Sequence, residues 1–327
     1  MQIKAQAFRL ARNAIKDSFA LFGLELRRAP EGSKFRRMYE RSFRLGRFEL
    51  VGFRDSPLPN LYRKYDGFAG HLARLALVLN SVYPEWRFLD VGANIGDSLA
   101  VVKNAVDCSA ICIEGDKLCF DLLEENIKQF SGVTTYNLFL GEKTETVAMT
   151  LAQAGWNGML NLKGNGTKTS GIQIVSLDDF VVDKPQFQNC KLVKIDAEGF
   201  DPKIIRGAQR FLESVKPVVV FEYNRKEMER LGEDGLSLFE FLIHLNYDTA
   251  LFYDWVGRLL LATSLKNKPL IQHLHEYVDG RISFIPYFDV CVFNQIDQEL
   301  ANQFVISEES YRRNNFRQAA IHRAEVK

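Results

Sequence analysis

The spacing of apolar and polar residues predicts a chain in which buried strands alternate with helices. Short, continuously apolar runs are bounded by glycine or acidic residues, as in strands covered on both faces, and the runs between them have helical periodicity. The principal strands are predicted at 88–91, 110–113, 133–140, 192–195 and 218–221, with further strands at 48–53, 144–151, 171–175, 249–253, 258–261 and 288–293. Helices are predicted at 68–82, 99–106, 118–130 and 238–245, and after Asp201-Pro202, which has the form of an N-cap followed by proline. Residues 154–171, rich in Gly, Asn and Thr, are predicted to be a loop that meets substrate.

The stretch FLDVGANIGD, residues 88–97, predicts a strand, a glycine turn and a helix N-terminus. Gly92 and Gly96 permit a tight turn, and Asn94 tolerates a left-handed backbone better than most residues. Asp97-Ser98 then begin the helix. Such a turn lies at the carboxyl edge of a parallel sheet, where open α/β folds bind ligands.

The ligand predicted for this turn is a nucleoside without a pyrophosphate. The glycines are spaced Gly-x-x-x-Gly, whereas a pyrophosphate-binding turn has three glycines as Gly-x-Gly-x-x-Gly. About 20 residues further on, the next strand ends at Glu114-Gly115, where an acidic side chain usually binds ribose hydroxyls. S-adenosylmethionine meets both conditions. The alternative is an ordinary turn that binds nothing.

Acidic residues follow the later strands as well. The strand ends supply Phe139, Asp196 with Glu198, and Glu222 with Asn224. An acidic site suits a sulfonium cofactor and a hydroxyl that loses its proton during methyl transfer. Asp196 is therefore expected near the reacting methyl group, and Glu198 and Glu222 are candidate bases, although capping or ion pairing would explain any single carboxylate equally well. A Mg²⁺ ion held by Asp196, Glu222 and Asn224 is a further hypothesis, and metal dependence stays open.

Composition and charge add a basic N-terminal segment to this picture. The chain has 327 residues, is 46% hydrophobic and carries a net charge of +1, but residues 1–54 contain thirteen Lys and Arg against five Asp and Glu. Residues 3–26 have the pattern of an amphipathic helix, which either packs on the domain or a partner subunit or lies on an anionic membrane surface. The five cysteines form no Cys-x-x-Cys motif, and no apolar run is long enough to span a membrane, so we expect a cytoplasmic protein with peripheral membrane contact through residues 1–28 as an option.

These motifs together resemble the FkbM family of S-adenosylmethionine-dependent methyltransferases. The resemblance runs from about Trp86 to Glu222, with weaker similarity in 58–65. It is carried by five motifs in the family's order, namely FLDVGANIGD at 88–97, IEGD at 113–116, SLDD at 176–179, KIDAEG at 194–199 with Gly207 further on, and Glu222 after an apolar strand. The resemblance implies a class I methyltransferase fold, which is an α/β, Rossmann-like, doubly wound and mostly parallel seven-stranded sheet. It also implies an acceptor hydroxyl on a sugar, glycan, glycolipid or polyketide.

The site and domain boundaries follow from the resemblance and the strand ends. The resemblance assigns cofactor binding to Asp90, Gly92, Asn94, Gly96, Glu114 and Asp196. The adjoining turn and strand ends add Ala93, Asp97, Ser98, Gly115 and Phe139. We expect a basic helical segment over 1–55, the methyltransferase domain over 56–300 and a polar tail over 301–327, with homo-oligomerisation left open.

Three alternative functions remain. An NAD-dependent sugar oxidoreductase would use the same turn, but the middle glycine and a Tyr-x-x-x-Lys pair are missing. Nucleic-acid methylation is disfavoured because no proline has a proline neighbour and no cysteine follows a proline. A non-catalytic cofactor-binding scaffold is the third alternative, although the strand-end carboxylates are intact.

Overall fold

The structure is a computed structural model and describes residues 40–153, 158–162, 171–279 and 283–325. Two predictions, the amphipathic N-terminal helix and the peripheral membrane contact through it, lie outside these residues. Most of the predicted loop at 154–171 also lies outside them, but Gly158–Leu162 form a strand paired antiparallel with Glu145–Gln153, so this part of the loop prediction was wrong. No helix in the described ranges is long and apolar enough to cross a membrane.

The strands are numbered β1 to β14 in chain order. They are β1 (Glu40–Leu45), β2 (Phe48–Phe53), β3 (Arg87–Val91), β4 (Ser109–Ile113), β5 (Val133–Tyr136), β6 (Phe139–Gly141), β7 (Glu145–Gln153), β8 (Gly158–Leu162), β9 (Gly171–Ser176), β10 (Cys190–Ile195), β11 (Val218–Tyr223), β12 (Tyr247–Asp254), β13 (Leu259–Ser264) and β14 (Phe288–Asn294).

The helices of the described residues are numbered α1 to α11. They are α1 (Leu58–Lys64), α2 (Gly70–Val82), α3 (Asp97–Ala105), α4 (Lys117–Asn126), α5 (Leu177–Phe180), α6 (Asp201–Arg206), α7 (Gln209–Val215), α8 (Arg225–Arg230), α9 (Gly235–His244), α10 (Lys268–Tyr277) and α11 (Gln298–Glu325).

An eight-stranded sheet in the order β13-β12-β14-β11-β10-β3-β4-β5 forms the centre of the domain. Five neighbouring strands, in the order β11, β10, β3, β4 and β5, are parallel. Strand β14 lies antiparallel between β11 and β12. The mostly parallel, doubly wound sheet of a class I methyltransferase is thereby confirmed. The sheet has one strand more than the seven expected, because β13 pairs antiparallel with the outer edge of β12.

The predicted third strand is divided between two sheets. Residues 133–136 pair with β4 in the central sheet, whereas 139–141 pair with β9 in a four-stranded sheet of order β6-β9-β7-β8. The prediction of one continuous strand was therefore wrong. The break between the two strands places Phe139 beside the end of β4, where it lines the cavity described below.

Helices cover both faces of the central sheet, which explains why its strands are apolar almost throughout. On one face, α2 and α3 pack on β3 and β4 with Leu75 and Leu99 fully buried. On the other face, the core includes Ile204, Phe211 and Leu238 from α6, α7 and α9.

The predicted polar tail begins as part of this core. Phe304 and Glu308, both on α11, are fully buried. The Glu308 carboxylate accepts hydrogen bonds from the Nε and Nη2 atoms of Arg74 on α2, the second at 2.9 Å. The assignment of a polar tail from residue 301 was therefore wrong for the part of α11 that contains Phe304 and Glu308. The apolar side chains of this helix recur with a helical repeat among many charged residues, so they did not form a recognisable apolar run. The boundary at residue 55 stays a prediction.

Candidate functional site

A cavity of about 220 Å³ lies at the edge of the central sheet where the parallel strands end. The cavity is lined by residues at and just after the carboxyl ends of β3, β4 and β10, by the last residues of β11, by the beginning of β14, and by α1 and α2. Most of the predicted site residues line it, namely Gly92, Asn94, Asp97, Ser98, Glu114, Gly115, Phe139, Asp196, Glu198 and Glu222. The predictions from separate motifs therefore converge on one place.

The glycine turn has the left-handed backbone that its sequence predicted. The φ angles are +75° at Gly92, +49° at Asn94 and +86° at Gly96. The amides of Gly92 and Ala93 donate to the carbonyl oxygen of Ile113 at 2.9 and 3.1 Å. A Cβ atom on Gly92 would overlap the carbonyl oxygen of Asp196. Gly92 is thus required by the close approach of the turn to the end of β10, in addition to its φ angle.

Three of the predicted cofactor residues do not line the cavity. Ala93 and Gly96 are buried within the glycine turn, and Asp90 lies near the end of β3, just before the turn. Among the described residues neither carboxylate oxygen of Asp90 has a hydrogen-bond partner, and the ammonium of Lys194 is 3.7 Å from Oδ1. Burial raises the pKa of Asp90 to about 6, although the charge of Lys194 opposes the change.

Glu114 connects the glycine turn to the end of β4. Its Oε2 accepts from the amide of Asn94 at 2.8 Å, and its Oε1 accepts from the amide of Asp116 at 2.7 Å. Burial raises the pKa of Glu114 to about 7, against the opposing effect of these two bonds. A carboxylate accepts about four hydrogen bonds, so capacity remains on the cavity side for the hydroxyls of a ribose.

The ring of Phe139 packs against Gly115, where a Cβ atom would overlap it. Gly115 therefore lets an aromatic face lie beside Glu114 at the cavity wall. Acid, glycine and ring together form an apolar slot with carboxylate oxygens at its edge, as expected of a site for a planar base and its ribose.

The three candidate bases occur together on the far side of the turn. The Asp196 side chain is 40% exposed, and its Oδ2 accepts from Lys194 Nζ at 3.0 Å. Glu198 has a left-handed backbone with φ +53°. Glu222 accepts from Asn224 Nδ2 at 3.0 Å, and burial together with the charges of Asp196 and Glu198 raises its pKa well above the usual range. The surroundings of Glu222 thus favour proton uptake.

The contacts of Asn224 account for that residue without a metal. Its Oδ1 accepts from the amide of Glu227 at the start of α8, and its Nδ2 donates to Glu222. Within the part of the chain that the structure describes, no three His, Cys, Asp or Glu side chains are grouped so as to hold a metal ion. The Mg²⁺ hypothesis therefore gains no support.

Asp201 differs from the N-cap predicted for it. It is fully buried at the first position of α6, and the residue before the helix, Phe200, makes no side-chain cap. The Asp201 carboxyl accepts from the amides of Ala197 at 3.3 Å and Glu222 at 3.2 Å. Asp201 thus joins the loop after β10 to β11 beneath the candidate bases, and the N-cap prediction was wrong.

The SLDD motif has a structural explanation. Asp178 accepts from the amides of Arg210 at 2.9 Å and Phe211 at 2.8 Å, which satisfies the N-terminus of α7. Asp179 accepts from the hydroxyl of Thr144 at 2.6 Å. None of these residues lines the main cavity.

Among the cavity residues that were not predicted from the sequence, five have polar or aromatic side chains that bear on the chemistry of the site. They are Tyr62 on α1, His71 on α2, Trp255 after β12, and Tyr287 and Asp289 at the start of β14. The candidates predicted from the sequence came from the carboxyl ends of strands before residue 225, but β14 is antiparallel and therefore begins at that same edge. The strand order would have identified the last three residues. Tyr62 lies in the stretch of weaker family similarity at 58–65, which did not single it out, and nothing in the sequence indicated His71.

Two of these residues have defined polar contacts. The hydroxyl of Tyr62 donates to Asp97 Oδ2 at 2.9 Å, so α1 is joined to the first turn of α3. His71 stacks on Tyr253 with ring centroids 4.6 Å apart, and its Nε2 lies 3.8 Å from Asp289 Oδ2. Burial lowers the pKa of His71 to about 3, so the ring is neutral at physiological pH.

Comparison with known proteins agrees with this geometry. Residues 90–249 match the methyltransferase FkbM domain. No curated protein matches the chain.

Similar solved structures include three methyltransferases. The methyltransferase FkbM from Methylobacillus flagellatus is 21% identical with a TM-score of 0.33, and the match covers 47% of this chain and 37% of that one. The precorrin-6y C5,15-methyltransferase from Geobacter metallireducens is 14% identical over 68% of this chain and 86% of that one, with a TM-score of 0.35. The tRNA (uracil-54, C5)-methyltransferase from Pyrococcus abyssi, solved with S-adenosyl-L-homocysteine, is 9% identical over 78% and 44%, with a TM-score of 0.36.

The chain thus spans just over a third of the FkbM methyltransferase that it resembles. The domain match includes the glycine turn, Glu114, Asp196 and Glu222, which are the residues that the structure brings to one cavity. Residues 90–249, just under half of the chain, are therefore a methyltransferase FkbM domain, as the sequence motifs led us to expect.

Proposed function

We propose that this protein transfers a methyl group from S-adenosylmethionine to a hydroxyl group of a sugar, glycan, glycolipid or similar natural product. The observation that carries the proposal is Glu222, a carboxylate with a raised pKa that lines the same cavity as the glycine turn and Glu114. A base that takes up a proton readily is what a hydroxyl acceptor requires.

The residues of the cavity fit the cofactor. Glu114 offers carboxylate oxygens to ribose hydroxyls, and the ring of Phe139 offers an apolar face for adenine. Bound S-adenosylmethionine supplies an electrophilic methyl group, so that the acceptor oxygen forms a bond to carbon while the carbon–sulfur bond breaks and its electron pair goes to sulfur. The acidic lining suits a sulfonium charge better than it would suit phosphates.

The chain's own part in the reaction is to orient the acceptor and to remove its proton. Glu222 receives that proton, since its pKa is raised by burial and by the charges of Asp196 and Glu198. Asn224 holds one oxygen of Glu222 at 3.0 Å and thereby fixes the carboxylate orientation. The Nζ atom of Lys194 lies 3.0 Å from Asp196 Oδ2, and this ion pair holds the Asp196 carboxylate in place.

The test begins with calorimetric titration of the protein with S-adenosylmethionine, S-adenosylhomocysteine and NAD. Micromolar binding of the first two without NAD supports the proposal, and binding of NAD alone would refute it. Labelled S-adenosylmethionine is then incubated with polysaccharide and glycolipid fractions, and hydrolysates are analysed for O-methyl sugars. Recovery of the label only on nitrogen or carbon would contradict O-methylation.

The role of Glu222 is tested with Glu222→Gln. We expect a 10²- to 10⁴-fold lower kcat, the usual contribution of a general base, with unchanged binding of S-adenosylhomocysteine. Glu213→Gln, at an exposed glutamate on α7 outside the cavity, is the matched control and should retain full activity. Equal activity of the two variants would exclude Glu222 as the base.

A further inference from the structure

Beyond β10, the cavity continues as a region with aromatic walls, here called the acceptor half. Its walls include Trp255 and Tyr287, and its floor includes His71 and Asp289. By strand order the region lies over β11, β14 and β12, whereas the glycine turn and Glu114 lie over β3 and β4. Neighbouring strands are about 4.8 Å apart, so the two ends of the cavity are separated by several strand spacings.

The aromatic walls of this half are partly exposed, and one of them packs against a neighbouring ring. Trp255 is half-buried in the turn between β12 and β13, and Tyr65 packs edge-on against its ring with centroids 5.0 Å apart. Tyr287 immediately precedes β14 and is also half-buried. Partly exposed, fixed rings offer flat faces to a ligand at little conformational cost.

Two carboxylates lie side by side between these walls. Glu222 on β11 and Asp289 on β14 are directly opposite each other in the antiparallel pairing. Residues paired in this way project to the same face of a sheet. Both line the cavity, and burial raises the pKa of Asp289 to about 7. They offer hydrogen-bond acceptors, which ligand hydroxyls satisfy by donating.

The same cavity has little to offer an anion. Its lining includes the acidic residues Asp97, Glu114, Asp196, Glu198, Glu222 and Asp289. Within the described residues, Lys194 is the one Lys or Arg that lines it, and its ammonium already lies 3.0 Å from Asp196 and 3.7 Å from Asp90. His71 is neutral, as shown above.

From this arrangement we propose that the acceptor half binds a neutral sugar ring and discriminates against phosphorylated and uronic-acid sugars. The ring packs its C–H faces on Trp255 and Tyr287, while its hydroxyls donate to Asp289 and Glu222. This inference rests on the proposed function, because it names the acceptor class of the same site. Within the described residues the lining offers an anionic sugar group no Lys or Arg other than the already engaged Lys194, and each ionised carboxylate some 6 Å away would repel it, so we expect its binding to be about 100-fold weaker.

The test uses protein saturated with S-adenosylhomocysteine and methyl glycosides in matched sets. Each set contains a neutral hexoside, the corresponding uronate, its 6-phosphate and its 2-amino analogue, in the gluco, galacto and manno series. Binding is measured by quenching of tryptophan fluorescence and by saturation-transfer NMR. We expect binding of at least one neutral glycoside, at least 100-fold weaker binding of its two anionic partners, and binding of the amine that is no weaker than that of the neutral glycoside.

Variants locate the binding on the aromatic walls. Trp255→Ala and Tyr287→Ala should each weaken binding of the neutral glycoside at least tenfold, while the affinity for S-adenosylhomocysteine is unchanged. Trp255→Phe should bind the neutral glycoside, as measured by NMR, almost as tightly as the wild type. Tyr277→Ala, at an exposed tyrosine on α10 that does not line the cavity, is the control and should bind normally.

Four outcomes would overturn the inference. Uronate binding equal to that of the neutral glycoside would refute the charge argument, and binding of the amine alone would indicate a cationic acceptor. Normal glycoside binding by both alanine variants would exclude the aromatic walls. If S-adenosylhomocysteine binds but no glycoside does, this inference fails and methyl transfer stands; if S-adenosylhomocysteine does not bind either, the proposed function fails with it.

Discussion

Replacement of Gly92 by alanine separates two effects that a glycine-turn substitution usually combines. Gly92 has φ +75°, and a Cβ atom there would overlap the carbonyl oxygen of Asp196. Gly232 has nearly the same φ, +74°, but a Cβ atom on it would meet nothing within 4 Å. Gly232→Ala is therefore a control that has the backbone strain without the overlap.

The expected magnitudes follow from this difference. An alanine in the left-handed region costs about 1–2 kcal/mol, and both variants should lose this much from the free energy of unfolding. Gly92→Ala should lose a further 1–3 kcal/mol, roughly the cost of overpacking. The overlap cannot be relieved cheaply, because the Gly92 amide donates to Ile113 at 2.9 Å and the Asp196 amide donates to the carbonyl oxygen of Val91 at 3.0 Å.

Two measurements check the reasoning. Urea unfolding gives the free energies, and calorimetric titration gives the affinity for S-adenosylhomocysteine. We expect Gly92→Ala to bind it at least tenfold more weakly, because the turn and the end of β10 must move apart, and Gly232→Ala to bind it normally. If the two variants are equally stable and bind the ligand equally well, the close approach at Gly92 is not what holds the site together.

Further predictions concern pH, the loop after β10 and the C-terminal helix. The pKa of Asp90 is about 6 in the folded protein against an ordinary value of 3.8, so the free energy of unfolding should fall by about 2 kcal/mol as pH rises from 4 to 6; urea titrations of Asp90→Asn should lack this part of the fall, and an unchanged profile would contradict it. Asp201→Ala and Asp178→Ala each remove an acceptor for two backbone amides and should each cost about 2 kcal/mol in urea unfolding, but only Asp201→Ala should slow methyl transfer; a matching loss in Asp178→Ala would show that the effect is global. Glu308→Ala leaves Arg74 without its buried partner and should destabilise by about 3 kcal/mol, whereas a change within 0.5 kcal/mol in the same assay would mean that α11 is not part of the folded core.

The side of the cavity formed by the glycine turn, Glu114 and Asp196 could be predicted because the sequence patterns there are local. The glycine turn, Glu114 and Asp196 each follow an apolar run directly, and parallel strands place such residues at one edge. The structure brings Gly92, Glu114 and Asp196 to one cavity as expected. Local pattern also predicted β12, β13 and β14, since each alternates or is apolar over its length.

The remaining features depend on pairing between distant strands, which local pattern does not determine. The insertion of β14 between β11 and β12 decides that Asp289 enters the cavity, but the residue itself looks like any acid at a strand start. The burial of Asp201 depends likewise on its contact with the amide of Glu222, 21 residues away. Phe139 was predicted at the site and lines the cavity, but the break in the strand that places it in the second sheet was not predicted.

The residues that line the cavity come from different parts of the chain. The residues proposed to hold the cofactor fall within 90–249, the part that matches the FkbM domain. His71, Trp255, Tyr287 and Asp289 of the acceptor half fall outside it, whereas Glu222 falls within it. Under the proposed function, changes in the two flanking segments would alter the acceptor while the residues proposed to hold the cofactor stay intact, and exchange of residues 250–294 between related chains would be the natural way to re-target the site.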